Sequence, residues 1–383
     1  MKRRICVVIT ARPSYARIKT VLQAIKDHPD LELQLVVGAS ALLDRYGSAI
    51  DVIRADAFEP DAEVYMVVEG ENLVTSAKST GIGISELATT FNNLRPDAVL
   101  TVADRYETIA TAIAGSFMNI PVVHVQGGEV TGSIDEKVRH AVTKLADLHM
   151  AANENAAERL LRMGERRDRV FVTGCPSIDL AVRVRETGGF LKRADLTHGV
   201  GAVLDPHEDY IIVIQHPVTY EWKDTGRQFT ETLEAVTHIA LPTYWFWPNV
   251  DAGSDDGSRA IRKFRERDGV QNIHFLKNLP PEEFLELLLH ARAIVGNSSA
   301  GIREAAFFGT PAVNIGSRQR GRECGPNVMH VSYETEAIVA AVDKQLVHGR
   351  HESSDIFGDG RAGERIAGYL ATVELSVEKQ ITY

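Results

Sequence analysis

Short runs of β-branched residues alternate with longer stretches of helical period along the chain, and a polar cluster follows many of the apolar runs. Parallel strands need a crossover of a dozen or more residues between them, usually a helix. The alternation therefore restricts the fold to α/β, with parallel sheets covered by helices on both faces. Strands are expected over 5–10, 33–37, 64–68, 98–102, 122–125 and 170–172, and a second series over 210–214, 244–247, 274–276, 293–295 and 312–315. Stretches such as 15–26 and 154–163 repeat apolar residues three and four apart, as a helix packed on a sheet does.

At 383 residues, 44% of them hydrophobic, the chain exceeds one ordinary core and fits two domains. The segment 183–206 carries Gly188, Gly189, Gly199 and Gly201 with no clear strand, and reads as the linker. A first lobe is expected over 1–185, a second over 190–358, and a closing helical segment over 359–383 that packs back across them. The expected architecture is two Rossmann-like doubly wound lobes with a cleft between them.

Acidic residues number 52 against 42 lysines and arginines, a formal net charge of -10, so the chain lacks the cationic excess that non-specific nucleic-acid or membrane binding requires. No apolar run approaches the ~20 residues that span a bilayer. The start MKRRICVVIT lacks the small-residue cleavage site of a signal peptide, and a cytoplasmic location is expected. Cys6, Cys175 and Cys324 lie far apart without a CxxC pair, and HExxH is absent, so neither a metal nor a disulfide framework is expected.

In open parallel sheets ligands bind beyond the carboxyl ends of strands. Seven polar clusters stand at such positions: Arg12, Asp104-Arg105, His124 to Glu129, Gln215-His216, Asn249 to Asp251, Asn297-Ser298-Ser299, and Ser317-Arg318-Gln319. Any one of them also reads as a solvated loop, because loops are polar; their recurrence at the same end of successive strands favours a ligand. VGNSSAGIREAAFFGTP places a Gly-Asn-Ser-Ser turn between strand and helix, where free N–H groups and a helix dipole favour phosphate, with Ser298 and Ser299 as donors. There is no GxxxxGK[ST] and no GxGxxG, which leaves a diphosphate without a metal as the better fit. Glu304, expected one to two turns into that helix, reads either as an acceptor for ribose hydroxyls or as a solvated helix charge. Arg12, Arg105 and Arg318 supply counter-charge through planar, permanently ionised forks; Arg320, Arg322, Lys137 and Arg139 read equally as exposed. Asp104, Glu129, Asp135 and His216 form an acid–base set suited to removing a weakly acidic C–H proton and expelling a phosphate. Asp104 is equally placed to cap the helix expected over 106–117, and Asp135 to open the one running to Leu145.

ARPSYARIK, ADRYETIATA, HVQGGEVTGSIDEKVRHAVTKLADLH, GCPSID, QHPVT, PNVDAGS, GNSSAGIREAAFFGTPAVNIGSRQRGRE and IFGDG occur in one order, from about residue 4 to residue 370. On these motifs the chain resembles the hydrolysing UDP-N-acetylglucosamine 2-epimerases of sialic-acid biosynthesis, which are similar to the epimerase domain of the animal bifunctional epimerase/kinase. The resemblance implies a B-type glycosyltransferase fold, a UDP-sugar substrate, no cofactor, and a homodimer or homotetramer. It implies that Arg12, Arg105, His216, Asn249, Ser298, Ser299, Glu304 and Arg318 contact the nucleotide, that Asp104, Glu129 and Asp135 face the sugar, and that Arg139 supports the pocket. The implied course is proton removal at C2, loss of UDP to a 2-acetamidoglucal, and hydration to N-acetylmannosamine. Gln126 departs from relatives that carry an acid or histidine there; glutamine is no base, and Glu129 of the GGE pattern can take part of that duty, which leaves open which carboxylate is the C2 base. Three other readings share the motifs: the same chemistry on a 2,4-diacetamido-trideoxyhexose nucleotide, a retaining glycosyltransferase, and a non-catalytic UDP-sugar sensor.

Overall fold

The computed structural model describes residues 2–70, 72–105, 107–192, 195–248, 253–266 and 272–382. The chain divides into two compact units, one of Met1–Glu129, Ile134–Asp179 and Phe357–Tyr383, the other of Val130–Ser133 and Leu180–Ile356.

The first unit holds strands β1 (Arg3–Ile9), β2 (Leu31–Gly38), β3 (Ala62–Val64), β4 (Ala98–Val102), β5 (Val122–Val125), β6 (Leu148–Ala151) and β7 (Val170–Val172). All pair in parallel, in the order β3-β2-β1-β4-β5-β6-β7. Around them lie α1 (Arg12–Asp27), α2 (Ala49–Ala55), α3 (Leu73–Leu94), α4 (Thr108–Phe117), α5 (Ile134–Leu145) and α6 (Glu154–Arg162). Helix α7 (Pro176–Thr187) carries the chain onward. Every residue of β4, β5 and β6 is buried, as parallel strands covered by helices on both faces require. Helix α1 starts with proline in its first turn and buries Tyr15, Ile18, Val21, Leu22 and Ile25, the three-and-four spacing of a helix seated on a sheet.

The second unit holds β8 (Val200–Gly201), β9 (Ile211–Ile214), β10 (Thr243–Phe246), β11 (Ile273–Leu276), β12 (Ala293–Gly296), β13 (Ala312–Ile315) and β14 (Val328–Val331), in the order β14-β13-β12-β9-β10-β11-β8, with only β8 antiparallel. Its helices are α8 (Thr225–Ile239), α9 (Ser254–Arg265), α10 (Pro281–His290), α11 (Glu304–Phe308) and α12 (Thr335–His348). The last helix, α13 (Ala362–Thr372), belongs to the first unit, where Ile366, Ala367 and Leu370 join the core around α1. Asp179 caps it, accepting the N–H groups of Ala362 at 2.9 Å and Gly363 at 2.7 Å.

Apart from the edge strand β8, both sheets follow one winding rule: strands are added outward on one side of β1 or β9, then on the other. The order reverses between β1 and β4 in the first unit and between β9 and β12 in the second. Doubly wound sheets bind ligands at such points.

Several elements differ from the sequence expectation. Strand β3 ends at Val64, so 65–68 lie outside it. Strands β6, β8 and β14 were not anticipated: β6 is four residues long and includes His149, and β14 is only partly buried, so neither shows an apolar run. The segment read as a strandless linker starts inside α7 and contains β8. It is tied down by Glu286 of α10, whose carboxylate accepts the N–H groups of Gly189, Phe190 and Leu191 at 2.8, 2.6 and 2.6 Å. Hydrogen bonds to a charged acceptor contribute roughly 1.5–3 kcal/mol each. Replacing Glu286 with Ala should therefore speed amide exchange at 189–191 by at least about tenfold; unchanged exchange there would show that the linker is held by other contacts.

Candidate functional site

At the reversal point of the first sheet, Arg12 opens α1 directly beyond β1, and Asp104-Arg105 follow β4. Two non-glycine residues take left-handed backbone at the neighbouring strand ends, Ala103 and Gln126, both with φ 66°. Such residues cost about 1–3 kcal/mol each and persist only where the surroundings hold them. Here the Ala103 N–H donates to the Val125 carbonyl and the Gln126 N–H to the Met150 carbonyl, both at 2.9 Å. The Ala103 carbonyl in turn accepts from His124 Nε2, also at 2.9 Å. His124 is fully buried, and burial lowers its pKa to about 3, so it is a neutral strut. Gly128, with φ 76°, is required by space as well as by backbone: a Cβ there would lie 2.2 Å from the carbonyl oxygen of Ala156.

Arg139, in the second turn of α5, has no exposed surface. Its Nη2 donates to the Asp104 carboxylate, and its Nη1 to the Glu129 carbonyl at 2.9 Å and to Glu136 Oε2 at 2.8 Å. The guanidinium thus fixes Asp104 and the backbone of Glu129 about one centre. Asp104 does not cap α4; the residue before that helix is Glu107. Glu129 is buried, and Asp135 is the partly buried second residue of α5. Arg105 forms an ion pair with fully buried Glu107, at 3.2 Å from Nε, with Nη2 donating at 3.3 Å. Burial first, and the positive charge of Arg105 second, lower the Arg12 pKa to about 10. The charge of Arg105 thus bears on Arg12, while Arg105 itself is paired with Glu107. Gln126 donates its amide to Cys175 Sγ at 3.0 Å.

At the reversal point of the second sheet, Asn297 is the hub. Its side chain accepts from the His216 N–H at 2.7 Å and donates to the His216 carbonyl at 2.8 Å, while its own carbonyl accepts Gln319 Nε2 at 2.8 Å and Arg318 Nη1 at 3.2 Å. The loops after β9, β12 and β13 are thereby joined. Ser298 accepts the Ala300 N–H at 3.3 Å and starts a 3-10 turn over Ser299–Gly301. The helix that follows is shorter than expected: α11 has five residues, and Glu304 is its first, not one to two turns in. A helix so short has little dipole, so the N–H groups and hydroxyls of the turn are what it offers a phosphate. Glu304 is buried, and its Oε2 has no hydrogen-bond partner. Arg320 is exposed, whereas Arg322, read as equally able to be exposed, is buried and donates to Gln319 Oε1 at 2.7 Å. Asn249 and Asp251 lie outside the described residues.

Sequence reasoning missed Glu107 and the bridging role of Asn297. Glu107 reads as an ordinary helix-start acid. Asn297 stands beside the serines in sequence, and only the adjacency of β9 and β12 reveals its pairing with His216.

The family model described as UDP-N-acetylglucosamine 2-epimerase matches residues 23–371. A UDP-N-acetylglucosamine 2-epimerase of Neisseria meningitidis is 33% identical over 94% of this chain and 92% of its own length. A UDP-N,N'-diacetylbacillosamine 2-epimerase (hydrolyzing) of Legionella pneumophila is 33% identical over 98% of this chain and 97% of its own. Among solved structures, a UDP-GlcNAc 2-epimerase from Neisseria meningitidis bound to UDP-GlcNAc superposes with a TM-score of 0.78, at 18% identity, over 96% of this chain and 99% of that one. The architecture of two Rossmann-like doubly wound units is thus that of the B-type glycosyltransferase class.

Two outcomes are expected from the buried groups. Arg139→Leu leaves the Asp104 and Glu136 carboxylates without their guanidinium and should cost about 3–5 kcal/mol in denaturant unfolding; a loss below about 1 kcal/mol would show that this pairing does not hold the loops. His124 is depressed in the folded state, so the unfolded chain takes up a proton below pH 6.5 that the folded chain refuses. The stability that His124 contributes is complete above pH 6.5 and is lost toward pH 3 at about 1.4 kcal/mol per unit. His124→Gln should flatten that loss between pH 6.5 and pH 4.5 by about one proton; equal slopes would contradict a neutral buried imidazole.

Proposed function

Because the chain belongs to the UDP-N-acetylglucosamine 2-epimerase family, we propose that it is an epimerase of the hydrolysing kind, converting UDP-N-acetylglucosamine and water to N-acetylmannosamine and UDP. The observation that carries this reading is the meeting, at one reversal point, of a carboxylate held by a buried guanidinium with two arginines, Arg12 beyond β1 and Arg105 beyond β4. The first suits proton transfer at carbon, and the second suits a departing diphosphate.

In this reading a carboxylate of the set Asp104, Glu129 and Asp135 removes the C2 proton. The C2–H electron pair forms the C1–C2 double bond, and the C1–O bond breaks with its electrons passing to the β-phosphate oxygen. Arg12, Arg105 and Arg318 meet the developing charge, Ser298 and Ser299 donate to phosphate oxygens, and Asn249 and His216 contact the nucleotide. Glu304, with one carboxylate oxygen still to be satisfied, accepts the ribose hydroxyls. Water then adds across the glycal, hydroxyl at C1 and a proton at C2 from the opposite face, which inverts C2. Gln126 cannot serve as base, and its amide is engaged with Cys175. Arg139 positions Asp104. We take the enzyme to be a cytoplasmic homodimer or homotetramer; no described helix is long and apolar enough to cross a membrane.

A second reading, the same elimination on a UDP-linked 2,4-diacetamido-2,4,6-trideoxyhexose, draws support from the Legionella relative. Parallel UDP-release assays on both nucleotide sugars decide between them by kcat/KM. Under either, Asp104→Asn should lower turnover by about 10²–10⁴-fold while UDP affinity stays within about threefold. Turnover near that of the unmodified enzyme would remove Asp104 from the chemistry. His216→Ala should slow UDP loss by roughly 10²-fold, and an unchanged rate would remove His216.

A further inference from the structure

The residues after His216 form a 3-10 segment, Thr219–Asp224, inside which Glu221 departs from helical geometry at φ -114° and ψ 16°. Its carboxylate collects donors from three other parts of the second unit. Ser317, at the start of the loop after β13, donates its hydroxyl to Oε1. Tyr333, between β14 and α12, donates its phenol to Oε2 at 3.1 Å, and Gln228 of α8 donates its amide to the same oxygen at 2.8 Å. The Tyr333 ring is pressed against Gly316, where φ is 75° and a Cβ would lie 2.2 Å from ring carbon and hydroxyl alike. Burial, then the nearby Glu221 charge, raises the phenol above its ordinary range, so it stays a donor.

These contacts close a circuit. Ser317 precedes Arg318 and Gln319, both of which donate to the Asn297 carbonyl, and the Asn297 side chain grips the backbone of His216, five residues before Glu221. All three donors to Glu221 are neutral, so the carboxylate remains an uncompensated anion beside a loop whose other task is to meet phosphate. By charge alone it would weaken diphosphate binding. We propose that Glu221 is a positioning residue: it ties the Arg318 loop to the His216 loop, so that a diphosphate meets cations and donors already in place. Preorganisation of this kind strengthens binding by removing the cost of ordering a loop.

The inference rests on the reading of Arg318 and His216 as diphosphate contacts. Its test is calorimetric titration of the full chain with UDP and with uridine, for the unmodified protein, Glu221→Gln and Tyr333→Phe. Simple electrostatics predicts that Glu221→Gln binds UDP more tightly; the positioning role predicts UDP binding about tenfold weaker, uridine binding within about twofold, and a smaller loss of the same kind for Tyr333→Phe. Adding Ser317→Ala to Glu221→Gln should cost little more than either change alone, because the two act through one contact. Tighter or unchanged UDP binding, or equal weakening of UDP and uridine, would overturn the proposal. If the unmodified protein binds no UDP, the reading of the site fails instead. Amide exchange over 317–322 then decides the clamp, faster in Glu221→Gln if it exists and unchanged if it does not.

Discussion

A guanidinium sealed from water governs the first unit. Arg139 has no exposed surface, and a charge so placed is tolerated only where several acceptors surround it. Those acceptors come from the end of β4, from the loop after β5 and from the first turn of α5. Three segments distant in sequence must therefore converge on one atom group before the unit can close. The left-handed backbone at Ala103 and Gln126 follows from this demand, since each re-aims the chain as it leaves its strand. Neutral His124 donates to the Ala103 carbonyl.

The second unit solves the same problem around a neutral amide. Asn297 offers a donor and an acceptor from one amide, and both go to the backbone of His216. The loop after β12 is thereby locked to the loop after β9 at the point where the strand order reverses. Its carbonyl then gathers the loop after β13 through Gln319 and Arg318. The amide hub joins three loops with Arg318 among its donors, whereas the buried ion pair of the first unit holds a carboxylate in a fixed place.

Much of this organisation was legible in the chain. The two series of apolar runs gave two parallel sheets, and the polar clusters after β1, β4, β5, β9, β12 and β13 stand at strand carboxyl ends. Strands that lack an apolar run escaped, β6 with its His149 and the half-exposed β14 among them. The length of α11 escaped because AAFF is good helix sequence that Gly309, left-handed at φ 71°, stops. Pairings that depend on which strands become neighbours could not be read from spacing: Asn297 with His216, Glu221 with Ser317 and Tyr333. The motifs GCPSID and IFGDG proved to be partners in architecture, the Cys175 N–H meeting the Phe357 carbonyl at 2.7 Å and Asp179 capping α13.

If a carboxylate set removes a carbon-bound proton while a cationic set releases UDP, both events leave a mark on the products. Proton NMR of the purified protein with UDP-N-acetylglucosamine in deuterated water, without added metal, reads both events at once. Free UDP together with N-acetylmannosamine carrying deuterium at C2 is the expected result of this chemistry. UDP released alongside a sugar that keeps its original proton and configuration at C2 would contradict it.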